Sequence, residues 1–380
     1  MDESEDDKKK GDNRMKILHC ADLHLDSKLT ANLDKDRAKE RKGEILHTFE
    51  KMIQYAVEQE IYVILIAGDL FDTRHVSANA RNIVLQAIME HADIHFYYLR
   101  GNHDSDNFLA ELEEIPDNLY LFGSDWTSYT EAEGKVTISG MEFIGGNAGS
   151  ADVSLVLDAG KFNIVMLHGQ EAESKGKDKT EIIHLKAFRN KGIDYMALGH
   201  IHAYKKEQLD ARATYCYPGC LEGRGFDECG EHGFVVLDID TETMHYTHEF
   251  VPFAYRTLHM VEVDVTDCQT TAEMIARVEM VLRQHAFLNS CLLKIVLTGM
   301  LDVECEKDIS YIRTRFQDDY YFVKVYDETT LKIAVESYML DVSLKGEYVR
   351  QVMADDSLEE EDKKVIIRYG LQAIAGEEVQ

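Results

Sequence analysis

The feature that most constrains this chain is an event repeated five times. An apolar run long enough to be a strand stops, four times beside a glycine, and Asp, Asn or His stands at its end. It happens in "ILHCADLHLD" (Asp22, His24), "YVILIAGDLFD" (Asp69, Asp72) and "IHFYYLRGNHD" (Asn102, His103, Asp104), then in "KFNIVMLHG" (His168) and "DYMALGHIH" (His200, His202). Between the first three runs lie "EILHTFEKMIQYAVEQ" and "ARNIVLQAIMEHA", whose apolar residues recur at helical spacing. Apolar runs without polar alternation are strands buried on both faces, and the interleaved helices are what bury them. The chain is therefore expected to be α/β.

Shorter β segments follow: "LYLF", "KVTIS" and "MEFIGG", then "ATYCYPG", "HGFVVLDID" and "MHYTHEFVPF", which read as antiparallel with turns between them. Near Pro252 to Arg256 the organisation changes. "TLHMVEVDV", a helix "TTAEMIARVEMVLRQH" and the strand "CLLKIVLTGM" form a small α+β unit. From about Ser337 the chain is charged and helical in spacing, in segments too short to build a core of their own. At 380 residues the sequence exceeds one ordinary domain. The expected division is a disordered tail at 1–14, a main domain at 15–253, a smaller domain at 254–336 and a helical segment at 337–380.

The start "MDESEDDKKKGDNR" is polar, so a signal peptide or anchor is not expected there, and no stretch approaches the ~20 apolar residues of a membrane span. Seven cysteines are scattered without a CxxC pair, which fits a reduced, cytoplasmic protein. The formal net charge of -29 argues against a protein that coats nucleic acid electrostatically. It leaves room for a site where bound cations supply the positive charge.

Each strand-end motif alone has an ordinary explanation: Gly-Asp as a turn, "GNHD" as an Asx turn, a histidine as a buried strand-end imidazole. Their combination is different, because α/β folds gather ligands at the carboxyl ends of strands. Together they offer carboxylate, amide oxygen and imidazole, donors suited to Mn²⁺, Fe²⁺ or Zn²⁺, with no thiolate among them. Such a set around one shared carboxylate is what two cations need in order to activate a water and clamp a phosphoryl group.

The order D-x-H, GDxxD, GNHD, H-G, GHxH resembles the signature of calcineurin-like metallophosphoesterases over about residues 15 to 240. That resemblance implies a four-layer α-β-β-α sandwich with a small α+β cap domain and a helical tail. "ILHCADLHLD", "GDLFD", "LRGNHDS" and "YPGCLEGRGFDE" are similar to SbcD-type DNA repair exonucleases, in which Cys220 is more often Ser. Carried over, the resemblance gives one metal Asp22, His24, Asp69 and His202, and the second Asp69, Asn102, His168 and His200. It makes His103 the general acid, Asp104 a partner fixing the His103 ring and Asp72 a support of the site. Arg224 would contact a substrate phosphate at the cleft rim, unless "CLEGRGFDE" is only a hairpin loop. The implied cofactors are two divalent ions, Mn²⁺ first, with Fe²⁺, Zn²⁺ or Mg²⁺ as alternatives. The implied partners are DNA and an SbcC-type ATPase docked through the C-terminal segment, with a homodimer left open. The rival readings are a phosphatase or small-nucleotide phosphodiesterase, and a scaffold with a decayed site.

Overall fold

The computed structural model describes residues 13–29, 33–72, 76–104, 114–144, 148, 151–172, 181–302, 305–332 and 335–375. The chain divides between Thr257 and Leu258 into two compact units. Most of the expected N-terminal tail lies outside the described residues, and the first strand begins at Arg14.

The first unit holds two six-stranded sheets. The first is built from β1 (Arg14–Cys20), β2 (Val63–Ala67), β3 (His95–Leu99) and β4 (Leu119–Leu121), all parallel, with two strands from further along the chain. The second contains β5 (Thr127–Glu131), β6 (Val136–Gly140) and β7 (Phe162–His168). After the two-residue strands β8 (Gln170–Glu171) and β9 (Ile182–Ile183) come β10 (Tyr195–Gly199), β11 (Lys205–Gln208) and β12 (Thr214–Tyr217). The last pair is β13 (Gly233–Asp240) and β14 (Tyr246–Pro252). The sheet orders are β14-β13-β1-β2-β3-β4 and β11-β12-β10-β7-β6-β5.

The sheets face each other across one apolar core. Ile17, Leu65, Tyr97 and Leu237 come from the first, and Ile138, Ile164, Met166 and Ala197 from the second. The alternate residues Leu18, Ile64, Ile66, Phe96 and Tyr98 are equally buried on the opposite side. Strands without polar alternation are thus covered twice, as their composition requires. On the first sheet the cover comes from the apolar stripes of α1 (Lys35–Glu58; Ile45, Phe49, Met52, Ile53, Ala56) and α2 (Ala78–Glu90; Val84, Ile88). Asp34 caps α1 by accepting from the amides of Asp36 and Arg37, and Ser77 caps α2 by accepting from that of Ala80. The outer face of the second sheet buries Val165, Leu167, Met196 and Leu198 against Leu155, Ile183 and Phe188, so short turns stand where a long helix would. The mixed α/β, two-sheet architecture expected from the sequence is present.

Three local expectations are corrected. "MEFIGG" is not a strand over 141–144: Glu142 is drawn to the Arg100 guanidinium (Oε2 to Nη2 2.6 Å) and its amide bonds the Gly123 carbonyl, which takes the chain off the sheet. β12 does not join β13 but pairs parallel with β10 and antiparallel with β11, in the other sheet. The C-terminal helices Val335–Met339, Leu344–Met353 and Glu360–Ala375 do make a core of their own. Val349, Ile367 and Leu371 are fully buried there, with Tyr338, Tyr348, Val352 and Met353 around them.

The second unit begins with three parallel strands, Leu258–Asp264, Leu292–Thr298 and Phe322–Asp327, linked through helices Thr271–Leu282 and Ile309–Phe316. Val263, Met274, Val278, Ile295, Ile312 and Phe316 form its core.

Candidate metal centre

Parallel pairing aligns the carboxyl ends of β1, β2 and β3, with Cys20 opposite Ile66 and Ala67 opposite Leu99. In the second sheet, Gly199 at the end of β10 stands opposite His168 at the end of β7. Hydrogen bonds tie the two sets of ends together. His168 Nδ1 lies 2.9 Å from the Ala67 carbonyl oxygen, the Asp22 amide donates to the Gly68 carbonyl (3.0 Å), and the His200 amide donates to the Asp22 carboxylate (2.9 and 3.0 Å). All five motifs therefore meet at one place.

The backbone there is unusual. Asp22, His24, Asp69 and His200 all have positive φ (51°, 45°, 52° and 103°). Non-glycine residues rarely sit there, and strain of this kind persists where the surroundings dictate it. Gly68 and Gly101 make the crowding possible: a Cβ on Gly68 would stand 2.1 Å from His168 Nδ1, and one on Gly101 2.2 Å from Asp69 Oδ1.

Donor atoms converge in two groups around Asp69. Asp22, His24 and His202 place ligand atoms within 4.8 Å of one another, as do Asp22, Asp69 and His168. His24 Nε2 faces His202 Nε2 at 3.1 Å and Asp69 Oδ2 at 3.8 Å. On the other side His168 Nε2 lies 3.5 Å from Asp69 Oδ2 and 3.1 Å from Asn102 Oδ1, with the His200 ring centroid 5.4 Å from that of His168. Asp22, His24, Asp69 and His168 are buried, while Asn102 and His103 are open to solvent. Facing imidazole nitrogens beside buried carboxylates, with no thiolate in the set, fit two divalent cations sharing Asp69. Asp22, His24 and His202 would hold one ion, and Asn102, His168 and His200 the other.

The electrostatics agree. Burial alone would lower the His168 imidazole, but the Asp69 carboxylate raises it to about 10. Burial would raise Asp69, yet His168 and His24 hold it well below the usual carboxylate range. Burial, with His168 nearby, lowers His200. Cation binding at this site must displace a proton.

Asp72 is the hub of the supporting contacts. Its Oδ1 lies 3.2 Å from His24 Nδ1, 3.6 Å from His103 Nδ1 and 3.1 Å from Arg224 Nη1, and its Oδ2 accepts from Ser27 Oγ (2.7 Å). Two assigned roles are corrected. Asp104 does not fix the His103 ring. It is turned into the protein, accepting from the amides of Leu70, Phe71 and Gly101, and burial together with the nearby Asp69 raises its carboxyl to about 6. Arg224 is not a rim residue, because its guanidinium is engaged with Asp72 and Glu228 and its side chain is only 19% exposed.

Three acids escaped the sequence reading. Glu228 meets His202 Nδ1 at 2.6 Å, Glu181 has a carboxylate oxygen within 4.8 Å of His168 and His200, and buried Glu222 accepts from Arg41 Nη2 (2.9 Å) and Thr48 Oγ1 (2.6 Å). The only available signal was the acid-rich "CLEGRGFDE" loop, which holds two of them and is no incidental hairpin.

Residues 15–204 match the calcineurin-like phosphoesterase family, and the chain belongs to that family. Among curated relatives, the uncharacterized metallophosphoesterase YhaO of Bacillus subtilis is 28% identical over 280 residues, 69% of this chain and 66% of that protein. The SbcD component of the nuclease SbcCD of Escherichia coli K12 is 29% identical over 27% of this chain and 24% of its own length. The DNA double-strand break repair protein Mre11 of Methanosarcina acetivorans is 30% identical over 25% of this chain and 15% of its own. The matched regions span less than two thirds of each of these relatives. Among the described residues no helix is long and apolar enough to cross a membrane.

Proposed function

We propose that this chain is a two-metal phosphodiesterase that hydrolyses DNA, Mn²⁺ being the working ion. The observation that carries the hydrolytic part is the convergence of Asp22, His24 and His202 on one side of Asp69, and Asn102, His168 and His200 on the other. When bound there, divalent ions supply Lewis acidity and a nucleophilic water. The chain's own residues do the rest. The buried carboxylates hold the positive charge in place, and the His103 amide, donating to Asp69 Oδ1 at 2.9 Å, pins the loop that carries the acid. The His103 ring is half exposed and keeps Nδ1 toward Asp72, so Nε2 is the atom that hands a proton to the leaving oxygen.

DNA as substrate rests on the partial similarity to the SbcD component of SbcCD and to Mre11, and an SbcC-type ATPase partner rests on the sequence resemblance with its C-terminal helices. The net charge of -29 favours a second reading, a small phosphoester substrate. Purified protein with Mn²⁺, offered linear duplex, hairpin and single-stranded DNA beside bis(p-nitrophenyl) phosphate, decides between them. Cleavage of the small diester without any DNA cleavage, even with the ATPase present, would overturn the DNA reading.

A further inference from the structure

The loop after β12 builds a charged bridge behind two of the ligand imidazoles. The Glu228 carboxylate stands 2.6 Å from His202 Nδ1, and Asp72 Oδ1 stands 3.2 Å from His24 Nδ1. Arg224 spans them, donating Nη1 to Asp72 (3.1 Å) and Nη2 to Glu228 (2.9 Å), while its own amide donates to the other Glu228 oxygen at 2.7 Å. Glu228 is held in turn from below: its carbonyl lies 2.8 Å from His232 Nε2, and His232 Nδ1 lies 3.3 Å from the buried Cys220 sulfur.

His202 Nδ1 faces the Glu228 carboxylate at 2.6 Å and the Arg224 Nη2 donor only at 3.3 Å; an ionised carboxylate only accepts hydrogen bonds, so the closer partner puts the His202 proton on Nδ1. Its Nε2 is then turned, bare, toward His24 Nε2 and Asp22, with Asp22 Oδ1 at 4.0 Å. A histidine ligand needs this orientation, and the partner of its second nitrogen sets it. We propose that Glu228 is a positioning residue of the metal centre: it fixes the His202 ring, and Arg224 ties Glu228 to Asp72, whose carboxylate stands beside His24 Nδ1 as a charge contact without hydrogen-bond geometry. One imidazole of that ion is thereby oriented, while His168 and His200, on the other ion, stand outside the bridge. The inference rests on the metal-centre reading above and gives Glu228 and Arg224 a role in it.

The test is titration of the metal-free full chain with Mn²⁺, followed by calorimetry and by the electron paramagnetic resonance of the bound ion. Wild type should bind two ions. Glu228→Gln, which keeps shape and an acceptor oxygen but not the charge, should weaken one of them by about 10–100-fold and leave the other unchanged. Arg224→Lys should weaken the same ion less, since an ammonium does not reproduce the planar fork of a guanidinium spanning two carboxylates. It also carries the test if Glu228→Gln does not fold. A merely structural role would lower the melting temperature of the metal-free protein and weaken both ions alike. Equal weakening of both ions, or wild-type affinity for both in a folded variant, overturns the proposal. A wild-type chain that binds no Mn²⁺ refutes the metal-centre reading itself, which is a different and recognisable failure.

Discussion

At the scale of single residues, Asp69 and His103 lie side by side in the site yet do separable work. Asp69 sits between the two donor groups, so Asp69→Ala should lose both ions and all hydrolysis, whereas the exposed Asp36 should be dispensable. Two ions still found by metal analysis in the Asp69 variant would remove the shared-ligand assignment. Under the proposed mechanism His103 acts only as a proton donor, so His103→Ala should keep both ions and slow turnover by roughly 10²–10⁴-fold. That loss should shrink on nitrophenyl diesters, whose leaving group needs little protonation. Away from the site, His19 is fully buried beside the Tyr195 hydroxyl (2.9 Å), and burial, helped by His248, lowers it from 6.5 to about 3. The unfolded imidazole takes a proton near pH 6.5 and the folded one only near 3, so the unfolded state binds more protons in between. Stability is full above that window and falls as pH drops through it, by up to roughly 5 kcal/mol at the acid limit. In chelator-treated protein, His19→Phe should flatten the fall of urea stability between pH 6.5 and 3. An unchanged slope would remove His19 as its source.

At the scale of elements, the site is a property of strand ends, and the turns leaving them decide whether it forms. Gly68 combines φ of +92° with a position at which an added Cβ would stand 2.1 Å from His168 Nδ1. A methyl group there is strained and occupies the space of Nδ1, so Gly68→Ala should destabilise the fold by more than about 1 kcal/mol and displace His168 from the Ala67 carbonyl. Calorimetry should then show the second ion lost first. Gly123→Ala is the control: its added Cβ meets nothing within 4 Å and its φ is not positive, so binding of both ions should be unchanged.

At the scale of the whole molecule, the surplus of acid and the shape of the C-terminal helices bear on the proposed DNA substrate and partner. The three helices satisfy their own small core and still leave Leu340, Val342 and Leu344 at 88%, 98% and 71% exposure on one short segment. Under the reading in which an SbcC-type ATPase docks here, Leu340→Glu, Val342→Glu and Leu344→Glu together should abolish co-purification with the ATPase and ATP-stimulated cleavage of duplex DNA. Because these side chains are exposed and lie outside the described cluster, hydrolysis of a small diester should stay at the wild-type rate. An undiminished pull-down would place the interface elsewhere.

How much of this was legible in the chain varies by residue for a physical reason. Strands such as "VILIA" and "FNIVMLH" were readable because burial on both faces leaves no polar alternation, and that is a local property. The seven ligand candidates were readable because each ends its strand or follows it within a few residues and each is a donor type. The sheet that β12 joins, the turning of Asp104 into the amides of Leu70 and Phe71 and the capture of Arg224 by Asp72 were not, because each depends on partners far away in sequence. Glu228 shows the limit most clearly: it lies 26 residues from His202, and the acid-rich loop that carries it does not say which ring it would meet. Which side chains end the strands, and what chemistry they offer, is written in the order of residues along the chain. Which of them face one another is set by packing alone, since carboxylate, imidazole and guanidinium act through distances that close when the two sheets pack.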